Sequence, residues 1–259
     1  HGVILINAGI VHRVGPHRLY VDLARALAKA GVPTVRVDLS GLGESPASRS
    51  GLGYEAQARS VIRATIDFLE RQGTKTVTLA GLCSGADHAF RAALSDRRVT
   101  GLIQLDPYAY DSARARVDRL AAKATDPARW RRTLARLAGT PQGSGGDQPV
   151  PADRFGRPHP PRAETAVGYA ALAARKVSML ALYSRYVQEV MTAPRHFWDV
   201  FKDVDWQGHM TVEVNSHADH TYTDYKARLS MIRQVVNWQR GQLGRDDPLK
   251  IGQAVGEAG

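Results

Sequence analysis

The stretch Val77-Thr78-Leu79-Ala80-Gly81-Leu82-Cys83-Ser84-Gly85-Ala86-Asp87 constrains the fold more than any other part of the chain. A short apolar run ends in Gly-x-Cys-x-Gly, and helix-forming residues follow from Asp87 to Leu94. The pattern reads as strand, sharp turn, helix. The residue at the apex of such a turn is forced into a strained backbone conformation. The positions two residues away on either side must be glycine, because a Cβ there collides with the turn. That requirement puts Cys83 at the apex rather than Ser84, whose neighbours at the same spacing are Leu82 and Ala86.

The rest of the chain repeats the alternation. Val3 to Asn7 is a continuous apolar strand of the kind buried on both faces of a parallel sheet, and it runs into the loop from Ala8 to His17. Leu19 to Ala30 carries Leu19, Leu23, Ala26, Leu27 and Ala30 on one helical face and stops at Gly31. The strand Thr34 to Val37 leads into the turn-rich loop from Asp38 to Ser45, and Ala56 to Gln72 is a second amphipathic helix. After the elbow come the strand Val99 to Leu105, a basic helical stretch from Asp111 to Ala138, and a Gly- and Pro-rich stretch from Gly139 to Glu164 that reads as flexible. A helix from Val167 to Arg175, the strand Val177 to Tyr183, a helix around Arg195 to Val204, the strand Met210 to Asn215 and a last helix from Asp224 to about Gln242 complete it. Strand and helix in alternation at this spacing predict right-handed crossovers and an open parallel α/β sheet. Ligands gather at the carboxyl edge of such sheets, where the loops at Asn7 to Ile10, at Asp38 to Ser45 and at Cys83 all fall.

Length and composition bound the reading further. At 259 residues and 43% hydrophobic, the chain fills one large domain. We divide it into a core of residues 1–110 and 177–244, a cap or lid inserted at 111–176, and a tail at 245–259. A single cysteine excludes an internal disulfide framework, and no apolar stretch reaches the roughly 18 to 20 residues that span a bilayer. With no charged-then-apolar leader, the reading is of a cytoplasmic protein. The chain opens directly in a buried strand at His1-Gly2-Val3, so upstream sequence is expected. The net charge of +10, from 35 Lys and Arg against 25 Asp and Glu, admits an acidic partner such as a carrier protein or a nucleotide-bearing thioester like CoA. Nucleic acid is disfavoured, because no recognition motif or basic stripe interleaved with aromatics occurs. Gly41-Leu42-Gly43 lacks the pattern of a phosphate loop, and His217-x-x-His220 offers two metal ligands at best, so neither a cofactor nor a metal is expected. Nothing in the sequence fixes the oligomeric state.

Four motifs now stand in order: the strand followed by Asn7-Ala8-Gly9-Ile10, the loop Asp38-Leu39-Ser40-Gly41-Leu42-Gly43-Glu44-Ser45, the elbow Gly81-Leu82-Cys83-Ser84-Gly85, and Asp219-His220-Thr221 after the last strand. Together they resemble the α/β-hydrolase superfamily over nearly the whole chain. The cysteine elbow resembles the minority branch that includes dienelactone hydrolases and the exosortase-system-associated hydrolases. The typical member has serine at position 83, and two early strands usual for the fold are absent before His1.

The resemblance implies a Cys-His-acid arrangement acting on an ester or thioester. Cys83 is the expected nucleophile, placed at a helix N-terminus whose dipole favours thiolate. His220 is the expected base and later acid, with His217 as its local competitor. His12 and His17 read as loop residues at the site entrance. The orienting acid stays open. No carboxylate stands at the usual distance after Tyr183, which leaves Asp106, at the end of the preceding strand, or Glu189. Asp219 is expected to point away from its chain neighbour His220. The oxyanion hole is expected from the backbone N–H groups of Ser84 and, by resemblance, Ile10. A small-molecule or carrier-bound acyl group, resolved by water or by an amine, alcohol or thiol, is the expected substrate. The competing expectations are lactone ring opening and a non-catalytic binding protein that retains the fold.

Overall fold

A computed structural model describes residues 1–125, 159–187 and 190–245. Six strands form one sheet: β1 (Gly2–Ile6), β2 (Thr34–Val37), β3 (Val77–Leu82), β4 (Val99–Leu105), β5 (Ser178–Ser184) and β6 (Met210–Asn215). Their spatial order is β2-β1-β3-β4-β5-β6, and every neighbouring pair is parallel. Parallel neighbours demand crossovers, and the helices supply them: α1 (Leu19–Lys29), α2 (Tyr54–Arg71), α3 (Ser84–Ser95), α4 (Ala113–Thr125), α5 (Arg162–Ala174), α6 (Pro194–Val200) and α7 (Tyr225–Arg245).

The central strands are buried on both faces, which explains their unbroken apolar runs. One face is covered by α2, α3 and α5 through Ile62, Ile66, Leu69, Phe90, Tyr169 and Leu172, and by α6 through Phe197 and Val200. The other is covered by α1 and α7 through Leu19, Leu23, Leu27, Met231, Ile232 and Val235.

Register brings the chemistry to one edge. Ile6 pairs with Gly81, Leu82 with Leu105, Leu105 with Leu182, and Ser184 with Asn215. The residues that follow these partners therefore emerge side by side. They are the loop from Asn7, Cys83, Asp106, the turn Arg185–Val187 and the loop from Ser216. The chain leaves β1 for β2 on one side and returns to β3 on the other, so the strand order reverses between β1 and β3. A crevice opens at such a switch point.

The segment expected to form a cap divides. Its part Arg162–Ala174 lies in the layer that flanks the sheet: Tyr169, Leu172 and Ala173 are buried, and a Cβ on Gly168 would meet Phe90 Cζ at 2.5 Å. Tyr169 contacts Phe197 at 6.0 Å and Phe201 at 5.2 Å between ring centroids, so α5 shares one aromatic cluster with α6. The alternation of Tyr169 and Leu172 with alanines reads as readily for a lid as for a crossover, and packing against α3 decides. Only α4 stands outside that layer, held to α6 by Asp118 with Arg195 at 2.6 Å and with His196 at 2.7 Å. The remainder of the expected basic helix, the Gly- and Pro-rich stretch to residue 158, and the tail from 246 lie outside the described residues. Among the described residues no helix is long and apolar enough to cross a membrane.

Candidate active site

Cys83 has φ +56° and ψ −122°, the strained apex that the sequence predicts. The flanking glycines are required sterically. A Cβ on Gly81 would lie 2.2 Å from the Gly85 carbonyl carbon, and one on Gly85 would lie 2.6 Å from the Ile6 carbonyl oxygen. The Cys83 N–H donates to the Leu105 carbonyl at 2.9 Å, tying the apex to the end of β4. Behind it, the Tyr20 hydroxyl donates to the Ile6 carbonyl at 2.9 Å and accepts from the Leu82 N–H at 2.8 Å. This buried phenol stitches β1 to β3 where the two strands diverge.

The loop after β1 is lashed to the loop after β2. Asn7 accepts from the Leu39 N–H at 3.1 Å, and Asp38 accepts from the Arg13 N–H at 2.5 Å and from the Glu44 N–H at 3.2 Å. The Arg13 guanidinium pairs with both Asp38 and Glu44. Burial pushes the Asp38 carboxyl up, but these N–H donors and the guanidinium hold it below the usual carboxylate range. Gly43 at φ +53° permits the loop's return, because a Cβ there would overlap Asp38.

At the opposite wall stands Asp106, fully buried. Its Oδ1 accepts from the Ser184 N–H at 2.6 Å, while Oδ2 accepts from the Ser184 hydroxyl at 2.7 Å and meets His220 Nδ1 at 2.7 Å. Asp106 is therefore the carboxylate that touches His220, and the expected alternative, Glu189, lies outside the described residues. Burial pulls the His220 imidazole down, but hydrogen bonds to Asp106 and Cys83, with their charges, outweigh it and push it up to about 9. The Tyr186 ring lies against the imidazole, centroids 4.2 Å apart and tilted by 35°. A π face at that distance favours imidazolium over imidazole.

The other expected residues separate from this group. His217 is exposed, with its N–H on the Asn215 side chain. Asp219 accepts from the Thr223 N–H at 2.8 Å and so faces its own turn rather than His220. His17 meets the Thr223 hydroxyl at 3.1 Å and bridges the loop before α1 to the histidine loop. His12 stays within its own loop, 3.5 Å from the Val14 N–H. In the loop after β1 the Gly9 N–H reaches the elbow, donating to Ser84 Oγ at 2.7 Å, and the next residue, Ile10, is 89% exposed. Gly9 adopts a left-handed φ of +51°. Ser184, Tyr186 and Tyr20 were not singled out as site residues by sequence. The signal for Ser184 was the missing acid at the end of β5, a position that the structure fills with a donor for the acid of β4.

No protein-family model matches the chain, and no curated protein matches it. Solved structures do. A monoacylglycerol lipase from Paleococcus ferrophilus is 18% identical, with 91% of this chain and 92% of that one covered at a TM-score of 0.52. Alpha/beta hydrolase domain-containing protein 10 from mouse is 14% identical, with 93% and 90% covered at 0.54. NosK from Streptomyces actuosus is 22% identical, with 93% and 97% covered at 0.51. The likeness covers nearly the whole chain, and with the parallel six-stranded sheet and its flanking helices it shows that the chain has the α/β-hydrolase fold.

Proposed function

We propose that the protein is an acyl-transfer enzyme that works through an acyl-cysteine. The observation that carries this reading is His220 held between the buried Asp106, at 2.7 Å, and the only thiol in the chain. The neighbouring solved structures include a lipase and a hydrolase-domain protein, which supports a hydrolytic or transfer reaction at a carbonyl.

In the reaction, Cys83 Sγ, with its proton held by His220, attacks the carbonyl carbon of an ester or thioester. The π electrons move to the carbonyl oxygen, which takes hydrogen bonds from the backbone N–H of Ser84 at the open first turn of α3 and from the N–H of Gly9. The Gly9 N–H now rests on the Ser84 hydroxyl, an acceptor of the same kind. Collapse expels the alcohol or thiol, which takes the proton from His220 Nε2, and leaves a thioester on Cys83. Water, or an amine, alcohol or thiol, then attacks that thioester, with His220 as base. Asp106 stabilises the imidazolium and fixes its tautomer, and Ser184 holds Asp106 in place.

On the described part of the basic helix Arg114 pairs with Asp199 at 3.0 Å and Arg119 with Asp111 at 2.9 Å, while Arg116 is exposed, 3.7 Å from Asp111. Small ester and thioester substrates give the first test of the reading. Steady-state hydrolysis of short and medium acyl p-nitrophenyl esters and acyl thioesters tests it. The wild type turns over members of the panel, and Cys83→Ala and His220→Ala reduce kcat/KM by at least about 10³-fold. Turnover by Cys83→Ala at the wild-type rate refutes the assignment.

A further inference from the structure

Cys83 and Asp106 are placed directly by the sheet, since each is the first residue after its strand, β3 and β4. His220 is not. It comes five residues after Asn215, the end of β6, so register between strands cannot aim it. The loop has to be fixed by its own contacts. Before His220, Asn215 Oδ1 accepts from the N–H groups of His217 at 3.1 Å and Ala218 at 3.2 Å, and the Ala218 carbonyl accepts from the Arg185 N–H at 2.8 Å. After it, the Tyr222 N–H donates to the Asp219 carbonyl at 3.1 Å, and the Arg228 guanidinium donates to the Tyr222 carbonyl at 3.1 Å. Ala218 and Tyr222 flank His220 two residues away on either side. Both are fully buried in the core cluster that also holds Leu182 and Met231.

Tyr222 is unfavourable in two local respects. Its φ is +54°, in the left-handed region that a bulky residue rarely adopts. Cys83 at +56° and Asp106 at +49° share that region, so each of the segments carrying Cys83, Asp106 and His220 contains such a residue. The Tyr222 hydroxyl is also buried with no hydrogen-bond partner among the described residues, which disfavours a polar group taken out of water. Burial, and then the charges of Asp106 and Asp219, push this phenol well above its usual range. A strained conformation persists only where its surroundings over-determine it. Here the ring does so, as the largest side chain of the loop and one seated wholly in the core.

We propose that Tyr222 is a positioning residue for His220: its ring, locked in the core, sets the left-handed turn that holds the imidazole between Asp106 and Cys83. The ring acts and the hydroxyl does not, because the hydroxyl has no partner to hold. That His220 serves as the base belongs to the acyl-transfer reading. Its contact with Asp106 at 2.7 Å is a property of the folded protein without substrate. Titration of the imidazole therefore tests the positioning role apart from that reading.

NMR titration of His220, with kcat and KM on the acyl p-nitrophenyl ester panel, is the experiment. In the wild type burial pulls the imidazole down, but Asp106 and Cys83 push it up to about 9. Tyr222→Gly removes the ring and leaves the left-handed turn accessible. Tyr222→Leu keeps a buried apolar side chain without the flat ring, and carries the test should the glycine variant not fold. Both are expected to titrate below about 8, toward the ordinary histidine value, with kcat at least about tenfold lower and KM within about twofold. Tyr222→Phe, the conservative variant, retains the wild-type titration and kcat, with a urea midpoint no lower. Leu23→Ala, which removes buried volume from α1 in the same core cluster, lowers the urea midpoint and leaves the titration unchanged. A wild-type titration in the folded Gly or Leu variant overturns the proposal. An equal fall in Leu23→Ala does so too, by assigning the effect to general loosening of the core, and so does a fall in Tyr222→Phe, by assigning it to the hydroxyl.

Discussion

Ser184 donates twice to Asp106, through its N–H to Oδ1 at 2.6 Å and through its hydroxyl to Oδ2 at 2.7 Å. The carboxylate at the end of β4 is thereby aimed by the residue at the end of β5, where the sequence offers no acid of its own. Ser184→Ala removes one donor from a buried charged group and leaves the main-chain one. We expect a loss of about 1–3 kcal/mol in urea unfolding and a fall in kcat with KM nearly unchanged. Ser184→Thr restores both, because it keeps the hydroxyl. Full activity in Ser184→Ala would mean that the main-chain donor alone holds Asp106.

The His220 imidazole titrates near 6.5 in the unfolded chain and is pushed up to about 9 in the folded one. The folded state thus binds this proton more tightly. Its contribution to stability is fully present below about pH 6.5, is lost as pH rises through 9, and amounts at most to something on the order of 3 kcal/mol. Urea midpoints are expected to fall across that window, and the fall should shrink in Asp106→Asn, which removes the carboxylate partner. A wild-type midpoint that stays flat across the window contradicts the ion-pair geometry.

How much of this was legible in sequence follows from what each residue depends on. The elbow could be read because its Gly-x-Cys-x-Gly pattern is local, although the Cβ-free space at Gly85 is demanded by Ile6 and Asn7 at the end of β1. The strands could be read because burial on both faces leaves unbroken apolar runs such as Val3 to Ile6. His220 could be placed by its motif. The acid could not be fixed, since its identity depends on the register of β4 against β5, a contact between residues 78 positions apart. The approach of the Gly9 N–H to Ser84 Oγ could not be read either, since it joins residues 75 positions apart. The crossover helix α5 was read as part of a lid because its periodicity records a buried face without recording what covers it.

The glycine requirement itself is measurable. In Gly85→Ala the new methyl group meets the carbonyl oxygens of Ile6 at 2.6 Å and Asn7 at 2.7 Å, which are backbone atoms that cannot turn aside. Loss of more than about 3 kcal/mol, or failure to accumulate folded protein, is expected. Gly241→Ala, on α7 with open space around it, serves as the control and is expected to be neutral or stabilising by up to about 1 kcal/mol. A folded Gly85→Ala protein with wild-type stability would show that the β1–α3 approach is looser than described.

The central claim is that Cys83 accepts the acyl group. Intact-mass analysis after rapid acid quench, with a panel of acyl thioesters and p-nitrophenyl esters in excess, tests it most directly. The account predicts one acyl mass added to the wild-type chain, mapped by peptide digestion to Cys83, and no adduct in Cys83→Ala. An acyl mass on another residue, or an adduct that persists in Cys83→Ala, contradicts it.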